Sequence, residues 1–114
     1  MGLTSVFNPK ATQMLTYNKQ WENDIIYRIA LKLAKFPADV DLLFGIFSRG
    51  QKTVSKEDFK YCALQRLNLR KEISEREIDL FLRGSPQLVD KEFIDKNDFL
   101  MIFSAAISQA RHEL

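Results

Sequence analysis

The phrase V-S-K-E-D-F at residues 54–59 returns as I-D-K-N-D-F at residues 94–99. Both copies contain an aliphatic residue, a helix-capping residue, lysine, a polar residue, aspartate and phenylalanine, in that order. Ser55 and Asp95 carry side-chain oxygens of the kind that cap helix N-termini, and the following aspartate suits the positive end of the helix dipole. The repeat therefore predicts that each phrase is the exit from a loop into a helix, in a unit that occurs twice.

Helical periodicity extends outward from both copies. The helix before the first copy has apolar residues at the i, i+3, i+4, i+7 spacing of a buried face, at Val40, Leu43, Phe44 and Phe47. A leading segment repeats an apolar residue every fourth position, at Trp21, Ile25, Ile29 and Leu33. The second unit begins at Ser74, which with Glu77 predicts a capping box, and Gly84-Ser85-Pro86 predicts the end of that helix.

We predict an all-α fold made of an extended arm and one helical domain. Residues 1–18 form the arm, whose apolar side chains are expected to dock on the domain or on a partner: Leu3, Val6, Phe7, Met14 and Leu15. Residues 19–114 form the domain, which consists of a leading helix at 19–36, a helix–loop–helix unit at 37–69 and a second unit at 73–111. Val54 and Ile94 are predicted to pair as a short bridge between the two loops.

Composition excludes several classes of function. A chain of 114 residues suits one domain, and its net charge of +2 is too small to predict binding to nucleic acid or an anionic membrane. No apolar run approaches the ~18 residues that would cross a bilayer. Cys62 is the only cysteine, so no internal disulfide can form, and a cytoplasmic location is expected.

The paired units resemble the EF-hand family, in which a loop of ~12 residues joins two helices and an aliphatic residue pairs with its twin in the partner loop. The resemblance covers roughly residues 37–111, and it implies that Val54 and Ile94 are those twins. Family members whose loops lack the calcium ligands are typically light-chain-like subunits or small proteins of the ciliary or microtubule cytoskeleton. The resemblance implies a role of this kind.

The loops lack the ligand pattern of that family, which has Asp or Asn at the first, third and fifth positions and Glu at the twelfth. The corresponding residues of the first loop are Phe47, Arg49, Gln51 and Asp58, and those of the second are Gln87, Val89, Lys91 and Asp98. We therefore predict that neither loop binds calcium and that the protein has no cofactor. A weak alternative is a cation held by Asp90, Asp95 and Asp98.

Some apolar residues fall outside the main helix stripes, and we predict that they line a groove for a partner helix or a cytoskeletal polymer surface: Leu42, Ile46, Tyr61, Leu64, Leu100 and Met101. The leading helix could also fill this groove. The first functional hypothesis is a non-catalytic, calcium-independent interaction module, a structural or adaptor subunit of a hetero-complex. The alternatives are a calcium sensor with an atypical second loop, a thiol enzyme that uses Cys62, and, least favoured, a DNA-binding domain.

Overall fold

The computed structural model describes residues 18–114, and within this range the chain is predominantly helical. In chain order its elements are α1 (Lys19–Ala34), α2 (Val40–Ser48), β1 (Thr53–Ser55), α3 (Lys56–Tyr61) with a π-helical turn (Cys62–Arg66) directly after it, α4 (Glu75–Gly84), β2 (Phe93–Asp95) and α5 (Lys96–Glu113). The predicted docking residues of the arm, Leu3 to Leu15, lie outside the described residues. None of the described helices has the length and apolar character that a membrane span requires.

Helix α1 begins at the predicted residue, Lys19, and ends slightly earlier than expected. The Asn18 side chain accepts the backbone N–H of Trp21 at 2.9 Å, which satisfies one of the free N–H groups of the first turn. The helix stops at Ala34 rather than at residue 36. Pro37 explains the difference, because a proline excludes helical geometry from the residue before it.

The two helix–loop–helix units meet through their loops. Strands β1 and β2 pair antiparallel, and Val54 lies opposite Ile94, the pair that the repeated phrase predicts. Loop one is residues 49–52 and loop two is residues 85–92, so the second is the longer. Val54 and Ile94 are 5% and 1% exposed, which makes the bridge part of the core as well as a link between the units.

Local capping determines where the exit helices begin. Ser55 accepts the backbone N–H of Asp58 at 3.0 Å, and Asp95 accepts that of Asp98 at 2.8 Å. Ser74 forms a complete capping box at the start of α4. Each cap accepts a backbone N–H that has no partner within the helix, which typically stabilises the fold by about 1 kcal/mol. All three caps were expected from the sequence.

An aromatic cluster joins the two units. The rings of Phe47 and Phe59 stack with centroids 4.2 Å apart, which ties α2 to α3. Phe59 and Phe103 stack at 6.0 Å, and Phe81 contacts Phe103 at 6.3 Å. Since Phe103 belongs to α5, these contacts connect the apolar side chains of the two units into one continuous core.

Candidate functional site

Loop two is organised around the buried carboxylate of Asp98, which is 1% exposed. The Lys91 ammonium donates to both Asp98 oxygens, at 2.7 and 2.8 Å. The Gln87 amide donates to the same carboxylate at 3.0 Å, and the Asp95 backbone N–H donates at 3.2 Å. The carboxylate is therefore surrounded by donors from its own chain.

These donors determine the charge state of Asp98. Burial disfavours the charged carboxylate, but hydrogen bonds from Lys91, Gln87 and the Asp95 amide outweigh it and hold the pKa of Asp98 below its usual value. The same contact raises the pKa of Lys91. Both shifts favour the charged forms of the two groups, which form an ion pair inside the loop.

The donor set does not fit calcium, the ion that the EF-hand resemblance would place in this loop. Calcium takes six to eight oxygen ligands. Both Asp98 oxygens already accept hydrogen bonds from the Lys91 ammonium. Asp95 serves as the cap of α5, and one of its oxygens is 4.0 Å from Lys91. Within residues 18–114, no three His, Cys, Asp or Glu side chains gather closely enough to hold a metal ion.

A second lysine occupies an acidic cluster between α3 and α4. The Lys60 ammonium lies 3.2 Å from Glu57, 3.3 Å from Glu75 and 3.2 Å from Asp79. Its side chain is 8% exposed. Burial opposes the charge, but the hydrogen bonds that Lys60 donates to Asp79, Glu57 and Glu75 outweigh it and raise the pKa of Lys60. Sequence analysis missed this residue, although Glu75 and Asp79 are one helical turn apart and their spacing was visible.

The predicted groove residues do not share one environment. Leu42, Tyr61 and Met101 are exposed, at 62%, 56% and 65%. Ile46 and Leu100 are half-buried and pack against the core. Leu64 is 4% exposed, so its assignment to a partner surface is wrong. It lies in the π-helical turn, whose extra residue per turn changes the direction of the side chains relative to an α-helix.

The exposed members of this set lie on two surfaces. Leu42 lines a cleft of about 500 Å³ between α2 and the start of α5. Asn97 lines the same cleft, and its amide nitrogen is 3.9 Å from the Met101 sulfur. We call Leu42, Asn97 and Met101 the α2–α5 surface. Tyr61 instead lines a cleft of about 520 Å³ beside loop one.

This loop-one cleft is formed by loop one, the π-helical turn and β2. The side chains that the EF-hand resemblance would place around a dication are among its lining residues, including Arg49, Gln51 and Asp58. Arg66 from the π-helical turn and the exposed Phe93 of β2 complete it. Arg66 and Phe93 were not predicted, because the π-helical turn and the bridge bring them to the cleft from distant positions in the sequence.

Cys62 lies in the wall of the loop-one cleft and is 7% exposed. Its Sγ contacts the Ile46 carbonyl oxygen at 3.4 Å as a donor. Burial raises the pKa of the thiol, and the opposing effect of Arg66 and Arg49 is smaller. A thiol held in its neutral form is a poor nucleophile, because the thiolate is the reactive species.

The chain was also compared with known proteins. Searches against protein-family models, curated proteins and solved structures found no significant match.

Proposed function

We propose that this protein is a non-catalytic, calcium-independent interaction module with an EF-hand-like pair of helix–loop–helix units. It would serve as a structural or adaptor subunit of a larger hetero-complex. The antiparallel pairing of Val54 with Ile94 supports the EF-hand-like arrangement, because it links two loops that both lead into capped helices.

The observation that carries the calcium-independent part of the proposal is the contact between Lys91 and Asp98. The Lys91 ammonium donates hydrogen bonds to both Asp98 oxygens and balances the charge of the carboxylate, as a bound calcium ion would otherwise do. In loop one, Arg49 places a second cation beside the position a dication would take, and like charges repel. A calcium sensor would have to displace Lys91 from Asp98 and overcome the charge of Arg49.

The interaction part rests on exposed apolar side chains. Leu42 and Met101 flank Asn97 on the α2–α5 surface, and each is more than 60% exposed. Large apolar side chains grouped on a surface are typical of contact sites. The partner we propose is a protein, either a helix or the surface of a cytoskeletal polymer, in the cytoplasm. Placement in the cilium rests on family analogy alone.

Calorimetry tests the calcium-independent part directly. Calcium chloride titrated into protein that was first treated with EGTA should give no saturable heat, and the thermal unfolding curve should be the same with calcium or EGTA. A calcium-binding EF-hand protein measured in the same buffers is the positive control. Saturable heat at micromolar calcium would refute this proposal and support the sensor.

Capture from native cells tests the interaction part. Wild-type protein should retain the same stoichiometric partner in calcium and in EGTA, whereas the Leu42→Glu/Met101→Glu variant should lose it. Val89→Glu is the matched control, because Val89 is 54% exposed and does not line the cleft between α2 and α5. A partner retained by the double variant would show that the α2–α5 surface is not the contact site.

A further inference from the structure

The loop-one cleft has an unbalanced positive charge. Arg49 and Arg66 contribute two guanidinium groups to its lining, and Asp58 contributes the single carboxylate. Within residues 18–114, neither arginine has a carboxylate within ion-pair distance; Arg66 donates to the Ile46 carbonyl at 3.1 Å. Guanidinium groups that lack a carboxylate partner favour carboxylates of another molecule, which they can bind in bidentate geometry.

Two aromatic side chains stand beside these charges. Tyr61 and Phe93 both line the cleft, and each is 56% exposed. Phe93 is the first residue of β2, and its side chain is on the exposed face of the strand, opposite the buried Ile94. Aromatic side chains next to arginine are the residue types enriched at the energetic centres of protein interfaces.

The backbone around the cleft departs from regular geometry at two places. Arg49 has φ 54°, in the left-handed region where a side chain is strained. The π-helical turn contributes Cys62, Gln65 and Arg66 to the lining of the same cleft. Strained residues and π-helical turns concentrate at functional sites. Glycine would relieve the strain at position 49, so arginine at this position lowers the stability of the fold. What the arginine contributes instead is a positive charge in the cleft.

We infer that the loop-one cleft binds an acidic peptide segment of a partner protein. The carboxylates of that segment pair with Arg49 and Arg66, and an apolar side chain packs against Tyr61 and Phe93. Charge complementarity argues against the protein's own arm as occupant, because residues 1–17 contain Lys10 and no Asp or Glu. This inference rests on the proposed function and names a contact site separate from the α2–α5 surface.

The test is a titration followed by two-dimensional amide NMR of the whole chain. The probes are two capped hexapeptides, Glu-Glu-Leu-Phe-Glu-Glu and Lys-Lys-Leu-Phe-Lys-Lys, which share the apolar centre and differ only in charge. The acidic peptide should give saturable shifts at the amides of loop one, the π-helical turn and β2. The basic peptide should give none there.

Arg49→Gly is the diagnostic variant. Glycine adopts φ 54° without strain, so the fold is kept while one guanidinium is removed. Binding of the acidic peptide should weaken by about tenfold, the loss of one strong charged contact. Arg76→Gln is the matched control, because Arg76 is an exposed arginine of α4 outside the cleft, and it should bind as the wild type does.

Three results would overturn the inference: no shift with the acidic peptide, equal binding of both peptides, or unchanged binding in Arg49→Gly. None of them would affect the calcium titration or partner capture through the α2–α5 surface. Failure of this inference is thus distinguishable from failure of the proposed function.

Discussion

Asp98 is the residue on which loop two depends, since Lys91, Gln87 and Asp95 all contact its carboxylate. Replacing Lys91 with methionine keeps the length of the side chain and removes its charge. A buried acceptor that loses a partner costs about 1–3 kcal/mol. Because Gln87 and the Asp95 amide still donate, and because the exposed Lys91 side chain is screened by solvent, we expect Lys91→Met to lower the free energy of unfolding by less than this, measured in urea at neutral pH.

Lys52→Met is the control for this comparison. Lys52 is an exposed lysine of loop one, and no ion pair holds it within the described residues. Its replacement should leave the free energy of unfolding nearly unchanged. Equal effects of the two substitutions would mean that the contact between Lys91 and Asp98 adds nothing to stability.

The lowered pKa of Asp98 predicts a dependence of stability on pH. A carboxylate whose pKa is lower in the folded state stabilises the fold above its unfolded pKa, and this contribution is lost as pH falls through the folded pKa. Wild-type protein should therefore lose more unfolding free energy than Asp98→Asn as the pH is lowered below about 4. Urea denaturation of both proteins across this range is the measurement, and parallel pH profiles would contradict the prediction.

Residue-scale features were predictable from the sequence where their cause is local. Ser55, Ser74 and Asp95 were recognised as caps because a cap and the N–H it accepts are three residues apart. Lys60 was not recognised as a buried cation. Two of its three carboxylate partners, Glu75 and Asp79, are on another helix, and only the packing of α3 against α4 brings them together.

At the scale of elements, the bridge between β1 and β2 joins the two units. Ile94→Ala should cost about 2–5 kcal/mol, as is typical of truncation in a core, and Val54→Ala should cost less because it removes fewer atoms. Since the two side chains lie opposite each other, the double variant should deviate from additivity by roughly 0.5–1 kcal/mol. Urea denaturation of the single and double variants measures this coupling, and strict additivity would show that the units are stabilised independently.

The π-helical turn explains why part of the predicted surface was wrong. With 3.6 residues per turn, the sequence pattern places Leu64 outside the main buried stripe of its helix. The π-helical turn at Cys62–Arg66 adds a residue to one turn, and Leu64 is buried together with that stripe. A change of helical period at a single turn has no signature in composition or spacing, so only the structure could reveal it.

At the scale of the whole described structure, helices α1 and α5 form the largest helix–helix contact. Ile25, Ile29 and Leu33 of α1 are fully buried, and α1 packs mainly against α5. The leading helix therefore docks in the same chain, one of the two possibilities that the sequence left open. The helix stripe was visible in the sequence, but the surface that receives it depends on how the two units pair.

Arg111 of α5 forms hydrogen bonds with the C-terminal end of α1 and the residues that follow it. Its guanidinium donates to the carbonyls of Ala34, Phe36 and Ala38, at 3.3, 2.7 and 2.6 Å. A cation suits these carbonyls because they follow the negative end of a helix. Arg111→Gln should lower the free energy of unfolding by about 1–3 kcal/mol and speed hydrogen exchange in α1.

Arg83→Gln is the control, because Arg83 is exposed and its guanidinium donates to the Asp79 carbonyl of its own helix. Hydrogen exchange in α1 that is unchanged by Arg111→Gln would show that apolar packing alone holds the helix in place.

Lys91 lies seven residues before the carboxylate it neutralises, on the same polypeptide. Its local concentration near Asp98 is set by the covalent chain, so dilution of the protein cannot remove it. A loop filled by a diffusible ion reports on the cell's ionic state. In the proposed calcium-independent module, a loop closed by its own lysine would keep its shape without such an ion.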